Sequence, residues 1–152
     1  MNADQYGVRV CAAILRPGDE ILVVRESRRG ALFVNLPGGT PELDETLERA
    51  IVREVSEETG YDVVPTEIAF VAERRAERFG ASTLEICFYA TVAAALQRPQ
   101  RAGENILSIE WLSIHDRALL RDIPHAALLG SNKRGRYIDE SSPSSLRRSQ
   151  AI

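Results

Sequence analysis

The sequence predicts an α/β fold in which a mixed β-sheet is flanked by helices. Two observations support this prediction. Short apolar runs bounded by turn residues, which are typical of strands, occur in both halves of the chain. Between them lies one segment, residues 45–59, with the length and spacing of an amphipathic helix. Strands that alternate with helices indicate an α/β domain.

The first predicted elements form a β-hairpin. Residues 8–15 and 21–24 are apolar, β-rich runs, and the Arg-Pro-Gly-Asp segment at 16–19 has the composition of a turn. A short basic loop follows at residues 27–30. Residues 33–36 then lead into a Pro-Gly-Gly turn, which the interior of a helix does not tolerate.

Further strands are predicted after the helix. Residues 68–73 form one, and residues 83–92 alternate between two faces with the period of a strand. Residues 106–112 form another. Residues 114–120 begin a short second helix, which Ser113 is expected to cap.

The chain divides into a main domain and an extension. The predicted domain spans residues 1–130, and a chain of 152 residues can bury one hydrophobic core. Residues 131–152 form a C-terminal extension that we expect to be at least partly flexible, because it contains a Ser/Pro-rich stretch. The net charge of −3 argues against general nucleic-acid binding. No signal peptide or run of transmembrane length is evident, so we expect a cytoplasmic protein without membrane contact.

The segment from Gly39 to Tyr61 carries the most informative pattern in the chain. Its spacing is G-x5-E-x7-R-E-U-x-E-E-x-G-U, where U is a large apolar or aromatic residue. Seven identities are fixed in this pattern. At ~6% usage per residue type, a window matches all seven by chance with a probability on the order of 10⁻⁹. The segment is therefore a highly specific motif.

The motif predicts a loop followed by a helix and a cap. The Pro-Gly-Gly turn at residues 37–39 precedes it. Asp44 is a suitable N-cap, and Glu45 follows in the first turn, where the helix dipole favours an anion. Gly60 can adopt the left-handed conformation that ends a helix. The predicted helix therefore covers residues 45–59.

Three glutamates of this helix point in the same direction as its apolar residues. On a helical wheel, Glu54, Glu57 and Glu58 continue the apolar stripe that contains Ile51 and Val55. Like charges at this spacing repel by about 0.2–0.5 kcal/mol per pair. A divalent cation with oxygen ligands would remove the conflict, whereas a solvated acidic face is the common alternative.

The motif is the Nudix box, complete at every defined position, and the chain resembles the Nudix hydrolases, which cleave nucleoside diphosphates linked to another group X. The resemblance covers about residues 8–120. It implies a Nudix α/β/α sandwich with a mixed β-sheet, in which the box forms a loop–helix–loop. It also implies an enzyme that hydrolyses phosphorus-containing anhydrides with Mg²⁺, for which Mn²⁺ can substitute.

The resemblance assigns roles to residues of the box. Arg53 is expected to orient the glutamate that handles the nucleophilic water, with Glu54 and Glu57 as the catalytic carboxylates. Glu45 is expected to support the structure. The implied metal ligands are Gly39, through its backbone carbonyl, and the carboxylates of Glu54, Glu57 and Glu58.

A general base outside the box is expected from a later loop, as is common in this family. Glu104 is the candidate, because it lies in a polar loop seven residues before Trp111. An ordinary exposed glutamate is the competing interpretation. Glu85 and Glu110 are weaker alternatives, because both fall in predicted strands where ion pairing is equally expected.

Candidate substrate contacts are basic or aromatic. Arg28 and Arg29 precede the box and can reach phosphates, with solubility as the competing explanation. Phe33, Phe79 and Tyr89 can stack on a base, although core packing is the better explanation for each of them alone. Phe79 is the aromatic candidate that we retain.

Substrate signatures outside the box are incomplete. The extended upstream motif of the coenzyme A type is missing. Ala76 and Glu77 stand where ADP-ribose pyrophosphatases have a proline, and Phe79 lies near the tyrosine position of dinucleoside-polyphosphate hydrolases. The entry to the box resembles that of enzymes that remove oxidised nucleotides, whereas Glu26 stands where those enzymes often have a basic residue.

We therefore expect a Mg²⁺-dependent pyrophosphohydrolase of a nucleoside di- or triphosphate derivative. The alternatives are a hydrolase of dinucleoside polyphosphates or nucleotide sugars, and a non-catalytic nucleotide sensor with the same fold. A small-molecule nucleotide is the expected partner. The oligomeric state stays open, with a homodimer as one option.

Overall fold

The computed structural model describes residues 6–76, 81–95, 105–131, 136–139 and 150–151. In chain order, the elements are β1 Tyr6–Ala13, β2 Leu15–Arg16, β3 Glu20–Arg28, β4 Ala31–Asn35, β5 Gly38–Gly39, α1 Leu47–Thr59, β6 Tyr61–Ala76, β7 Ala81–Ala95, β8 Ile106–Ser113, α2 Arg117–Asp122, a 3₁₀ helix Pro124–Ser131, β9 Arg136–Asp139 and β10 Gln150–Ala151. None of the described helices is long and apolar enough to cross a lipid bilayer.

The strands of the described segments form two sheets. The first has the order β10-β9-β6-β7-β1-β5, and it is mixed, because β1 runs parallel to β7 while β6 and β7 are antiparallel. In the second sheet β3 is antiparallel to β2, β4 and β8. The predicted mixed sheet is therefore confirmed. The predicted hairpin is wrong in extent, because only Leu15–Arg16 of β2 pair with β3, whereas residues 8–13 belong to β1 in the first sheet.

The layers of the fold follow from the alternation of side chains along β1 and β3. Val10 and Leu22 belong to one core cluster, whereas their chain neighbours Cys11 and Val23 belong to another. The first cluster packs against Ile51 and Val55 of α1, and the second contains residues of α2 and the 3₁₀ helix. Helices thus cover both faces of the β layer, which confirms the predicted α/β/α sandwich.

Two helix starts differ from the prediction. Helix α1 begins at Leu47, because Thr46 rather than Asp44 is the N-cap, and the Thr46 Oγ1 accepts a 3.2 Å hydrogen bond from the Arg49 N–H. Asp44 instead adopts a left-handed conformation in the preceding turn, with φ 65°. Helix α2 begins at Arg117 and is capped by Asp116, not by Ser113.

Two other expectations have different outcomes. The strand predicted at residues 68–73 is part of the longer β6, which starts directly after α1. Of the predicted extension beyond residue 131, the structure describes only β9 and β10, so the flexibility expected there stays a prediction. Strand β9 lies parallel to β6 at Phe70–Glu73 and extends the first sheet.

Candidate active site

The glycine loop before α1 lies directly against β1. Gly38 and Gly39 form β5, which pairs with Cys11 and Val10, and the Pro37 carbonyl accepts a 2.9 Å hydrogen bond from the Ala12 N–H. A Cβ atom at Gly38 would overlap the Val10 carbonyl oxygen. This approach of two backbones requires glycine.

Gly39 is also the point where the loop meets the helix. A Cβ atom on Gly39 would overlap the Glu54 carboxylate, so this carboxylate lies directly against the loop backbone. Helix α1 is fixed at both ends, by the Thr46 cap and by Gly60, whose φ of 74° places it in the left-handed region. The loop and the helix therefore bring Gly39 and Glu54 together.

Arg53 joins the start of α1 to its glutamates. Its guanidinium donates to both carboxylate oxygens of Glu45, at 2.8 and 2.9 Å, and to Glu54 Oε1 at 2.8 Å. It also donates to the Thr40 carbonyl at 3.2 Å and lies 3.5 Å from Glu57 Oε2. The helical wheel places Arg53 on the outward arc, but its long side chain folds back and is only 24% exposed.

Electrostatics favour the ionised forms of Glu45 and Arg53. The hydrogen bond from Arg53, and then the bond from the Glu42 backbone N–H, lower the pKa of Glu45 to about 2. The hydrogen bond to Glu45 raises the pKa of Arg53, burial opposes this, and the bond to Glu54 raises it further. Glu45 therefore supports the site through Arg53, which is the structural role predicted for it.

Glu58 connects the last turn of α1 to the glycine loop. Its Oε2 accepts a 3.0 Å hydrogen bond from the Gly38 N–H. Burial raises the pKa of Glu58 to about 7, although the Gly38 bond and the nearby Arg9 oppose the shift. Glu54 and Glu26 raise this pKa further. Several carboxyl groups therefore lie close together beside the loop.

The donors of this region suit a hard divalent cation. Within the described residues, no group of three or more His, Cys, Asp or Glu side chains stands at metal-binding distance as arranged. The available donors are nevertheless all oxygens, namely the carboxylates of α1 and the backbone carbonyl of Gly39, a residue whose Cα lies against the Glu54 carboxylate. Mg²⁺ prefers such ligands and retains several waters, so it does not require a closed protein cage.

The site matches a known family. The NUDIX domain model matches residues 5–129 of the chain. The chain belongs to the Nudix hydrolase family. A mouse relative, the 8-oxo-dGDP phosphatase NUDT18, is 31% identical over 129 residues, which are 80% of this chain and 38% of the mouse protein. The chain spans 30% to 42% of the length of the curated relatives it matches.

Solved structures show the same Nudix fold. A NUDIX hydrolase from Nitrosomonas europaea has a TM-score of 0.67 and 24% identity, with 94% of this chain and 85% of that chain covered. A MutT protein from Methanosarcina mazei has a TM-score of 0.68 and 24% identity, with 86% and 97% covered. At this identity the likeness establishes the fold alone.

Several predicted site residues outside the Nudix box have clear positions. Arg28 is exposed and donates to Glu26 at 2.9 Å, and Arg29 lies at the exposed β3–β4 turn with φ 49°. Phe33 is 38% exposed on β4. Tyr89 is half-buried, and its hydroxyl donates to the Leu129 carbonyl, which favours core packing. Glu104 and Phe79 lie outside the described residues.

The two alternative bases are engaged in ion pairs. Glu85 is buried and accepts from Arg9 at 2.8 Å. Glu110 accepts two bonds from Arg25, at 2.8 and 3.0 Å, and one from Ser108. The Arg25 bond, followed by the Ser108 bond, lowers the pKa of Glu110 to about 2.

Two charged residues near the box were not assigned to the site from the sequence. Glu26 is 8% exposed on β3 and accepts a 2.9 Å bond from the Asn35 side chain. Arg9 on β1 donates to Glu85 and, at 2.9 Å, to the Leu36 carbonyl. The available signal was a charged residue inside an otherwise apolar strand, because such a residue needs a partner.

Proposed function

We propose that the chain is a Mg²⁺-dependent pyrophosphohydrolase that cleaves the phosphoanhydride of a nucleoside diphosphate linked to another group. The observation that carries this proposal is the Arg53 cluster, which holds the Glu54 carboxylate against Gly39 with Glu57 and Glu58 on the same helix. A sensor that only binds nucleotides would not need this arrangement, so we place the sensor second.

The residues of the box have different proposed roles. The cation, when bound, neutralises phosphate oxygens and acidifies a water, with Gly39, Glu54, Glu57 and Glu58 as the proposed ligands. Arg53 holds Glu54, so that this carboxylate is oriented towards the attacking water. Attack forms a new P–O bond at one phosphorus and breaks the bridging P–O bond, and the departing phosphate keeps the electron pair. Glu104 is the proposed base outside the box.

A nucleoside di- or triphosphate derivative is the proposed substrate. The mouse relative is named for a nucleoside diphosphate, and the match covers 80% of this chain and 38% of the mouse protein, which supports this class. Arg28 and Arg29 are the proposed phosphate contacts, and Phe79 is the proposed stacking residue. The buried carboxylate of Glu26 stands where a basic residue is common in oxidised-guanine enzymes, so we do not propose that preference. Dinucleoside polyphosphates and nucleotide sugars are the alternative substrates.

A nucleotide panel tests the proposal. The purified chain is incubated with nucleoside di- and triphosphates, dinucleoside polyphosphates and nucleotide sugars, each with Mg²⁺, with Mn²⁺ or with EDTA. We expect hydrolysis of at least one nucleoside phosphate with either metal and none with EDTA. Undiminished turnover in EDTA would contradict the metal mechanism. Nucleotide binding without turnover under every condition would favour the sensor.

A further inference from the structure

Arg9 and Glu85 form a buried ion pair beneath the glycine loop. Arg9 on β1 faces Glu85 on β7 across a parallel pair of strands, and the guanidinium Nη1 lies 2.8 Å from the Glu85 carboxylate. The two side chains are 21% and 8% exposed. Such a pair is weak evidence for stability, because removal of both charges from water opposes folding.

The second half of the guanidinium reaches the loop. Arg9 Nη2 donates a 2.9 Å hydrogen bond to the carbonyl of Leu36, the residue immediately before Pro37. The planar guanidinium can satisfy Glu85 and this carbonyl simultaneously, which a lysine ammonium cannot do with the same geometry. Arg9 therefore links the sheet to the entry of the glycine loop.

The loop is held at successive residues along the same strand. After the Arg9 contact at Leu36, the Pro37 carbonyl accepts from the Ala12 N–H, and Gly38 and Gly39 pair with β1. The Gly38 N–H then points to the Glu58 carboxylate. A shift at the Leu36 end would therefore move the groups that face α1.

We propose that Arg9, anchored by Glu85, is a positioning residue that sets the glycine loop for the cation and the pyrophosphate. It acts through the loop backbone and not by contact with the substrate. This inference rests on the proposed function, since it concerns the geometry of the Gly39 carbonyl and of Glu58. Residues that orient metal ligands through hydrogen bonds typically contribute 10–100-fold to metal affinity or activity.

The test compares Arg9→Met with a matched control. Arg25→Met removes the arginine from the pair with Glu110, which has a similar distance and partial exposure but joins β3 to β8. Mn²⁺ affinity of the substrate-free protein is measured by calorimetry, followed by kcat and KM on the substrate found in the panel. We expect Arg9→Met to weaken Mn²⁺ binding and lower kcat about 10–100-fold, with KM unchanged. Arg25→Met should change none of the three.

Wild-type Mn²⁺ affinity and kcat in a folded Arg9→Met protein would overturn the inference. A raised KM with normal kcat and Mn²⁺ affinity would also overturn it, since that result indicates direct substrate contact. If Arg9→Met does not fold, the same measurements on Arg9→Lys and Glu85→Gln test the positioning role instead. Arg9→Lys should give an intermediate loss, and normal Mn²⁺ binding and turnover in both variants would overturn the positioning role. A wild-type protein that neither binds Mn²⁺ nor hydrolyses any nucleotide would overturn the proposed function as well.

Discussion

Two arginine–glutamate pairs in the molecule have nearly the same geometry and very different surroundings. Arg53 donates twice to Glu45 and Arg25 donates twice to Glu110, and in both pairs the pKa of the carboxylate is lowered to about 2. Arg53, however, also contacts Glu54 and the Thr40 carbonyl, whereas the Arg25 pair joins two strands of the second sheet. The same bond therefore occurs in the candidate active site and between two strands of a sheet, and only the further contacts of the arginine distinguish the two.

The largest effect is expected on the Arg53 side of this comparison, at Glu54. Glu54→Gln retains size and an acceptor for Arg53 but removes the charge that faces the loop. We expect kcat to fall on the order of 10²–10³-fold, as for the loss of a major electrostatic element. Thermal unfolding should show equal or higher stability, because repulsion among the glutamates is relieved. A near-normal kcat would refute the assignment, and Glu57→Gln should behave similarly.

Substitution of Glu104 tests whether catalysis extends beyond the box. Glu104→Gln should lower kcat by about 10²-fold and leave KM nearly unchanged, because a general base acts in the transition state. The acid limb of the pH–rate profile should shift in the same variant. Mn²⁺ affinity without substrate should change little. If Glu104→Gln matches the wild type and Glu85→Gln loses kcat with normal Mn²⁺ affinity, the base comes from a strand.

Arg53→Lys tests directly whether the Arg53–Glu45 pair differs in function from the Arg25–Glu110 pair. Lysine retains the positive charge but not the planar fork that spans Glu45 and Glu54. We expect kcat to fall about 10–100-fold, as for other groups that orient ligands. Arg25→Lys is the matched control and should leave kcat unchanged. Equal kcat values for the two variants would show that the contacts of Arg53 beyond Glu45 have no catalytic consequence.

The smallest expected effect is on the stability contributed by the Arg25–Glu110 pair, and it depends on pH. The pKa of Glu110 is depressed in the folded protein, so its contribution to stability is present above pH 4.5 and is lost as the pH falls towards about 2. After allowance for solvent screening, we expect about 1 kcal/mol. The stability difference between wild type and Glu110→Gln in urea should therefore shrink between pH 4.5 and 2. A constant difference would show that the pair contributes no pH-dependent stability.

The sequence was most informative where contacts are local. The glycine turn, helix α1, its Gly60 cap and the buried positions of Ile51 and Val55 follow from spacing within about 25 residues. The inward turn of the Arg53 side chain could not be predicted from spacing, because a helical wheel locates Cβ atoms and not the end of a long side chain. Asp44 and Thr46 are both suitable N-cap residues. Thr46 is the cap in the structure, because Asp44 lies in the preceding turn with a left-handed backbone conformation.

Contacts between distant parts of the chain were beyond sequence reasoning. Arg9 and Glu85 are 76 residues apart, and they meet because β1 and β7 are parallel neighbours in a particular register. Glu26 and Asn35 are only nine residues apart, but their contact depends on the register of the β3–β4 hairpin. A pattern with a two-residue period assigns faces to each strand, but it does not assign neighbours.

The contacts around the two glycines of β5 have a consequence for protein engineering. Neither Gly38 nor Gly39 has room for a methyl group, so random substitution there should yield almost only inactive clones. The β3–β4 turn differs, because Arg28 is 61% and Leu32 is 54% exposed. A library intended to redirect this scaffold to new nucleotides should therefore keep the loop invariant and diversify this turn.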